Sequence, residues 1–235
     1  MKIFEPHKRL KKFWGEVDRK HISLISKHII GNSILDLGCG FGTTTNYIKN
    51  NLNLSCTGID FDEEVISLCK ETYPDCDFMV ADAEELPFEN NSFDTIILRD
   101  ALHHFYQEAD FEKVKNELIR VSKDKSRIIF FDPNINFILK SMRKLASHND
   151  AECDYETALR IQDELGLKII HKKFNTLFSL PLSGGYVGLN LVPDLPPLHK
   201  FIIGLENLLE KIVNPTGLGR YLCWRYLIVG EIKED

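Results

Sequence analysis

The stretch that decides the fold is SILDLGCGFGTTT, residues 33–45. A short apolar run leads into glycines at 38, 40 and 42, and a helix-like segment, TTNYIKNN, follows. A glycine-rich turn between a strand and a helix commonly holds a nucleotide. A dinucleotide fingerprint needs G-x-G-x-x-G, but Thr43 or Thr45 stands where the third glycine belongs, depending on the starting glycine. No Gly-Lys-Ser/Thr follows, so the P-loop pattern is absent. Asp36, two residues before Gly38, is more telling. A phosphate favours exposed N–H groups without a nearby carboxylate. A carboxylate here suits a ligand with a cationic end, such as an amino-acid ammonium.

Outward from this stretch, short apolar runs alternate with helical segments. The runs are SILDLG, SCTGID, CDFMVAD, FDTIILRD, SRIIFFDP, KIIHKKF and YLCWRYLIVGEI. The middle ones are almost continuously apolar, as strands buried on both faces of a parallel sheet are. FDEEVISLCKETY and QEADFEKVKNELIRVS read as connecting helices. The pattern predicts an α/β fold: a Rossmann-like, doubly wound, seven-stranded sheet, mostly parallel with its last strand antiparallel. Ligands then sit at the carboxyl ends of the strands.

Two regions lie outside this alternation. Residues 1–32 read as an N-terminal helical cap, with Phe13, Trp14, Val17, Ile22, Ile25 and Ile29 at helical spacing. The expected domain then runs over 33–235, with an apolar insert at about 174–220 before the last strand. From Phe174 to Pro193 there is no charged residue. Pro181, Gly184, Gly185 and Gly188 argue against a membrane-spanning helix there. HKFIIGLENLLEKIV follows, with Phe201, Ile202, Leu205, Leu208, Leu209 and Ile212 as one apolar stripe. Glu206, Asn207, Glu210 and Lys211 take the other side.

The 235 residues suffice for one large domain with an elaboration, and the composition is that of an ordinary globular protein. A net charge of −6 does not suggest a general nucleic-acid surface. The charge is uneven, however: residues 1–30 hold eight Lys/Arg against three acids, leaving −11 for the remainder. That basic start suits contact with an anionic partner or a membrane surface, or simply a solvated helix face. The six cysteines form no CxxC pair and imply no zinc site. With no secretory leader read at the start, free thiols in a cytoplasmic protein are the simplest account.

LDLGCGFG followed by GIDFD resembles the motifs of class I S-adenosylmethionine (SAM)-dependent methyltransferases. The likeness is to the small-molecule branch, methyltransferase type 11, related to the ubiquinone/menaquinone C-methyltransferases. It covers roughly residues 33–132 and includes four ordered motifs. The resemblance implies SAM as cofactor and S-adenosylhomocysteine as product. By the same resemblance, Gly38, Cys39 and Gly40 approach the methionine part, and Asp36 helps hold its ammonium. Asp60, ending GID, binds both ribose hydroxyls, and Phe61 packs near the adenine. In ADAEELPF, Asp82 contacts the adenine amino group and Ala83 offers its N–H. In FDTIILRDALHHF, the backbone of Arg99 lies near the methionine moiety. One departure is visible: RVSKDKSRIIFFDP has no Pro-Gly-Gly turn before the fifth strand.

Methyl transfer from a sulfonium needs mainly alignment and exclusion of water. A base is required only where the attacking atom must lose a proton. His103, His104 and Asp100, all just after the fourth strand, are the candidates. Asp100, Asp132 and Asn134 offer hard oxygen ligands, but Asp132-Pro133-Asn134 also reads as an ordinary strand exit, and no metal is expected. The uncharged insert predicts a small, partly lipophilic acceptor, with peripheral membrane contact as a further expectation. Two other functions fit parts of the pattern: a NAD-dependent oxidoreductase and a non-catalytic SAM-binding protein.

Overall fold

The structure is a computed structural model and describes residues 11–134, 153–183 and 192–233. All seven expected strands form: β1 (Ser33–Leu37), β2 (Ser55–Asp60), β3 (Asp77–Val80), β4 (Phe93–Arg99), β5 (Ser122–Pro133), β6 (Leu167–Asn175) and β7 (Arg225–Ile232). They make one sheet in the order β3-β2-β1-β4-β5-β7-β6. β1 pairs in parallel with both β2 and β4, β2 with β3, and β4 with β5. Pairing turns antiparallel at the last strand. The chain order reverses between β1 and β4, the place where open α/β sheets open a crevice at their carboxyl ends.

Helices α1 (Lys11–Ser26), α2 (Thr43–Leu52), α3 (Glu63–Thr72), α4 (Leu102–Glu108) and α5 (Phe111–Val121) precede β5. After it come α6 (Tyr155–Glu164), α7 (Ser179–Leu182), α8 (Pro196–Val213) and α9 (Gly219–Leu222). The central apolar runs become strands because they are covered on both faces, while the edge strands β3 and β6 stay largely exposed. Ile34, Ile97, Ile129, Phe131, Leu227 and Val229 share one core with Ile48 of α2. Turn chemistry sets the connections. Asp62 caps α3 by accepting from the N–H groups of Glu64 and Val65, with Glu63 and Glu64 favourably placed in the first turn. Where the Pro-Gly-Gly turn is missing, β5 begins at Ser122 and slips register against β4, with Lys125 at φ 59°.

The chain divides into two compact units. One contains residues 25–133, 150–172 and 226–235 and carries most of the sheet. The other contains residues 1–24, 134–149 and 173–225. In this second unit Phe13 and Val17 of α1 pack with Val192 and with half-buried Leu198, Ile202 and Ile203. Residues 1–10 and 184–191, hence Gly184, Gly185, Gly188 and much of the basic start, lie outside the described residues. Among the described residues no helix is long and apolar enough to cross a membrane.

α8 is amphipathic as expected, with its sense reversed. A surface helix ordinarily turns its apolar stripe inward. Here Glu206 and Glu210 are fully buried, while Phe201, Leu205, Leu208 and Ile212 are exposed. Buried carboxylates persist only when paired and hydrogen-bonded. Lys20 of α1 meets both, bonding Glu210 Oε1 at 2.7 Å and Glu206 Oε2 directly. Glu206 Oε1 accepts from the N–H groups of Leu177, Phe178 and Ser179 at 2.8–2.9 Å. The Ser179 hydroxyl reaches Oε2 at 2.7 Å, and Glu210 takes the Thr176 N–H at 2.7 Å. Burial alone raises the Glu206 carboxyl, but Lys20 and these donors win, leaving it below the usual range.

Candidate active site

The glycine loop is built by its own backbone. Gly38 and Gly42 adopt φ of 72° and 71°, a region that L side chains rarely occupy. A Cβ on Gly38 would lie 2.7 Å from that of Ala101, and one on Gly42 2.6 Å from the Phe78 ring. The Gly38 and Cys39 N–H groups both donate to Ile59 O, at 2.9 and 2.8 Å. Gly40 N–H donates to Asp60 Oδ2 at 3.0 Å, and Gly42 N–H to Cys39 O at 3.0 Å. Four of the five N–H groups from Gly38 to Gly42 are thus spent inside the protein. A pyrophosphate cradle needs such donors free. The loop therefore lacks the feature on which the NAD reading rested.

Asp36, next to last in β1, is almost wholly enclosed. Its Oδ2 accepts a 2.6 Å bond from the Thr45 hydroxyl. Burial nonetheless pushes its carboxyl up to about 6, the Thr45 bond and the Arg99 charge only partly offsetting this. A carboxylate held at that cost fits a ligand that brings a positive charge, as the amino-acid end of SAM does.

Asp60, at the end of β2, is half-buried. Its Oδ2 takes the Gly40 N–H and its Oδ1 the Asp62 N–H at 3.1 Å. A carboxylate has about four acceptor positions, so each oxygen keeps capacity for another donor while its orientation is fixed. Phe61 beside it is 73% exposed, an aromatic face open to stacking. Asp82 is exposed, and its Oδ1 accepts the Glu84 N–H at 2.9 Å, a local turn bond. Ala83 is buried next to it. The Arg99 guanidinium donates to Thr44 Oγ1 at 3.1 Å.

The three proton-acceptor candidates separate here. Asp100 is at φ 57°, a strained turn between β4 and α4. His103 is buried, and its Nδ1 lies 2.6 Å from Oδ1 of the fully buried Asp132, at the end of β5. The His104 ring leans on it with centroids 4.2 Å apart. Among the described residues Asp132 Oδ2 has no hydrogen-bond partner. Sequence reasoning weighed Asp132 as a hard oxygen ligand or an ordinary strand exit and missed this pairing. The signal was an acid closing an otherwise apolar strand, IIFFD. Asn134 does not join Asp132 at a shared ligand set, since its amide donates to the carbonyls of Arg220 and Cys223 at 2.8 Å each.

The fold is the Rossmann-like one of SAM-dependent methyltransferases, and the loop chemistry suits their cofactor. Residues 35–130 match the family described as Methyltransferase domain, and SAM is the cofactor that this match supports. Among curated proteins the chain is similar to phthiotriol/phenolphthiotriol dimycocerosates methyltransferase 1 of Mycobacterium ulcerans. The two are 30% identical over 125 residues, 50% of this chain and 45% of that one. It is also similar to demethylmenaquinone methyltransferase of Thermotoga maritima, 29% identical over 115 residues, 48% of this chain and 49% of the relative. The chain thus spans about half the length of these relatives in alignment. A crystal structure of a SAM-dependent methyltransferase from Archaeoglobus fulgidus shares the fold, with a TM-score of 0.63 and 19% identity over 92% of this chain and 93% of that one.

Proposed function

We propose that the chain is a SAM-dependent methyltransferase acting on a small, partly lipophilic acceptor, with His103 taking the proton from the attacking atom. The observation that carries the base assignment is the 2.6 Å bond from His103 to the buried Asp132. It fixes the ring and stabilises the imidazolium formed when Nε2 accepts a proton. Two curated relatives named for phthiotriol and demethylmenaquinone acceptors support the lipophilic character.

Bound SAM supplies an electrophilic methyl group with a neutral thioether as leaving group. Around it, Asp36 holds the ammonium and Gly38, Cys39 and Gly40 let the backbone approach the methionine part. Asp60 accepts both ribose hydroxyls, charge-assisted bonds of about 1.5–3 kcal/mol each. Phe61 covers the adenine, Asp82 and Ala83 read its edge, and the Arg99 backbone borders the methyl end. His103 Nε2 would take the acceptor's proton as the methyl group leaves the sulfonium, its C–S bond breaking while the bond to the acceptor forms. Residues 1–32, the N-terminal helical cap, and the insert at about 174–220 within the domain over 33–235 supply the acceptor side, in a cytoplasmic protein with peripheral membrane contact.

The test is turnover of methyl-labelled SAM against a panel of lipophilic alcohols, phenols and quinols. His103→Ala is expected to lower kcat about 100-fold or more with S-adenosylhomocysteine affinity unchanged. An unchanged kcat removes the base assignment. Cofactor binding without turnover by the native chain across the panel supports a non-catalytic SAM-binding protein instead.

A further inference from the structure

We propose that the outward face of α8 is a docking surface for an anionic lipid bilayer. Phe201, Leu205, Leu208 and Ile212 are 65%, 40%, 56% and 59% exposed. Their spacing of four, three and four places them on one side of the helix, opposite Glu206 and Glu210. Four large apolar side chains in one exposed row mark an interaction site more than a solvated face.

Charge decides the partner. The helix has two carboxylates, both turned inward and engaged by Lys20, so none remains on its outer surface. Its exposed charges are Lys200 and Lys211, one turn-phase to the side of the apolar row. Lysines at that position keep their stems along the apolar boundary and their ammonium groups at headgroup level. The asymmetry extends through the compact unit that contains α8. Among its described residues that unit has nine Lys/Arg against five Asp/Glu, +4, whereas the other has fourteen against twenty-five, −11. An apolar row beside cations on a basic body is what a negatively charged leaflet recognises. No helix among the described residues spans a membrane, so the contact is peripheral.

The surface deepens the membrane-contact part of the function proposed above, and its test reads lipid binding without turnover, so the two can fail separately. The full chain is mixed with vesicles of phosphatidylglycerol and phosphatidylcholine, or of phosphatidylcholine alone, and floated on a density gradient. Binding is expected on the anionic vesicles, falling as salt screens the lysines. Phe201→Glu with Leu208→Glu should abolish it with the fold retained by circular dichroism, these being exposed positions. Lys200→Gln and Lys211→Gln should each weaken it about fivefold. No flotation of the folded native chain overturns the proposal. So does equal binding to neutral vesicles, or a dimer on sedimentation that the double Glu variant splits while vesicle binding is absent or unchanged.

Discussion

The rim at β1 and β2 and the helix α8 both place carboxylates where water cannot reach them easily, and they differ in what meets the charge. Glu206 and Glu210 find their cation and donors inside the protein, in Lys20 and the backbone of residues 176–179. Asp36 has a hydroxyl and the field of Arg99, and its carboxyl still stands at about 6. The first arrangement is complete and stabilises the fold. The second, in the proposed function, is left for a cationic ligand to complete. Buried acids therefore mark function where their charge is under-compensated, and structure where it is matched.

The comparison breaks most visibly at Glu206. Glu206→Ala leaves Lys20 with Glu210 alone and four donors of residues 177–179 without their acceptor, and should cost about 3–5 kcal/mol in urea unfolding. A loss under about 1 kcal/mol would show that the network is not integral. Because the folded carboxyl lies below its ordinary range, its contribution is present at neutral pH and fades as pH falls through and below that range.

Asp60→Ala comes next, with cofactor affinity expected to fall about tenfold or more, since ~1.4 kcal/mol is tenfold. Unchanged affinity by calorimetry would place the ribose elsewhere. Asp36→Asn sharpens the contrast further. It should weaken S-adenosylhomocysteine while raising the melting temperature of the ligand-free protein at pH 7, at about 2–4 °C per kcal/mol for this size. Lower stability together with unchanged binding would make Asp36 structural, like Glu206.

The smallest effect is in the pH dependence. With its folded value raised from 3.8 to about 6, Asp36 costs nothing below the lower value. Stability is lost as pH rises through about 6. A cationic ligand needs the ionised form, so affinity should drop by up to about tenfold per unit below pH 6. Flat affinity from pH 7 to 5 would deny the ammonium contact.

Much of this was legible in residue order. Seven apolar runs became seven strands: burial on both faces leaves a local imprint in the central ones, while the edge strands β3 and β6 stay largely exposed. The Gly38–Gly42 loop and Asp60 sit at adjacent strand ends because β1 and β2 are parallel neighbours. The orientation of α8 was not legible. Periodicity says that two faces differ, and it does not say which faces inward when a partner 186 residues away supplies the counter-charge. The hint was Lys20 itself, following Phe13 and Val17 on the apolar side of α1. The His103–Asp132 bond was hidden for the same reason, joining the first turn of α4 to the end of β5, 29 residues away.

The most direct measurement of the central claim is titration calorimetry of the full chain with S-adenosylhomocysteine and with NADH. A glycine loop whose N–H groups are spent internally, beside an under-compensated Asp36, predicts binding of S-adenosylhomocysteine and none of NADH. Tight NADH binding with no response to S-adenosylhomocysteine would contradict it.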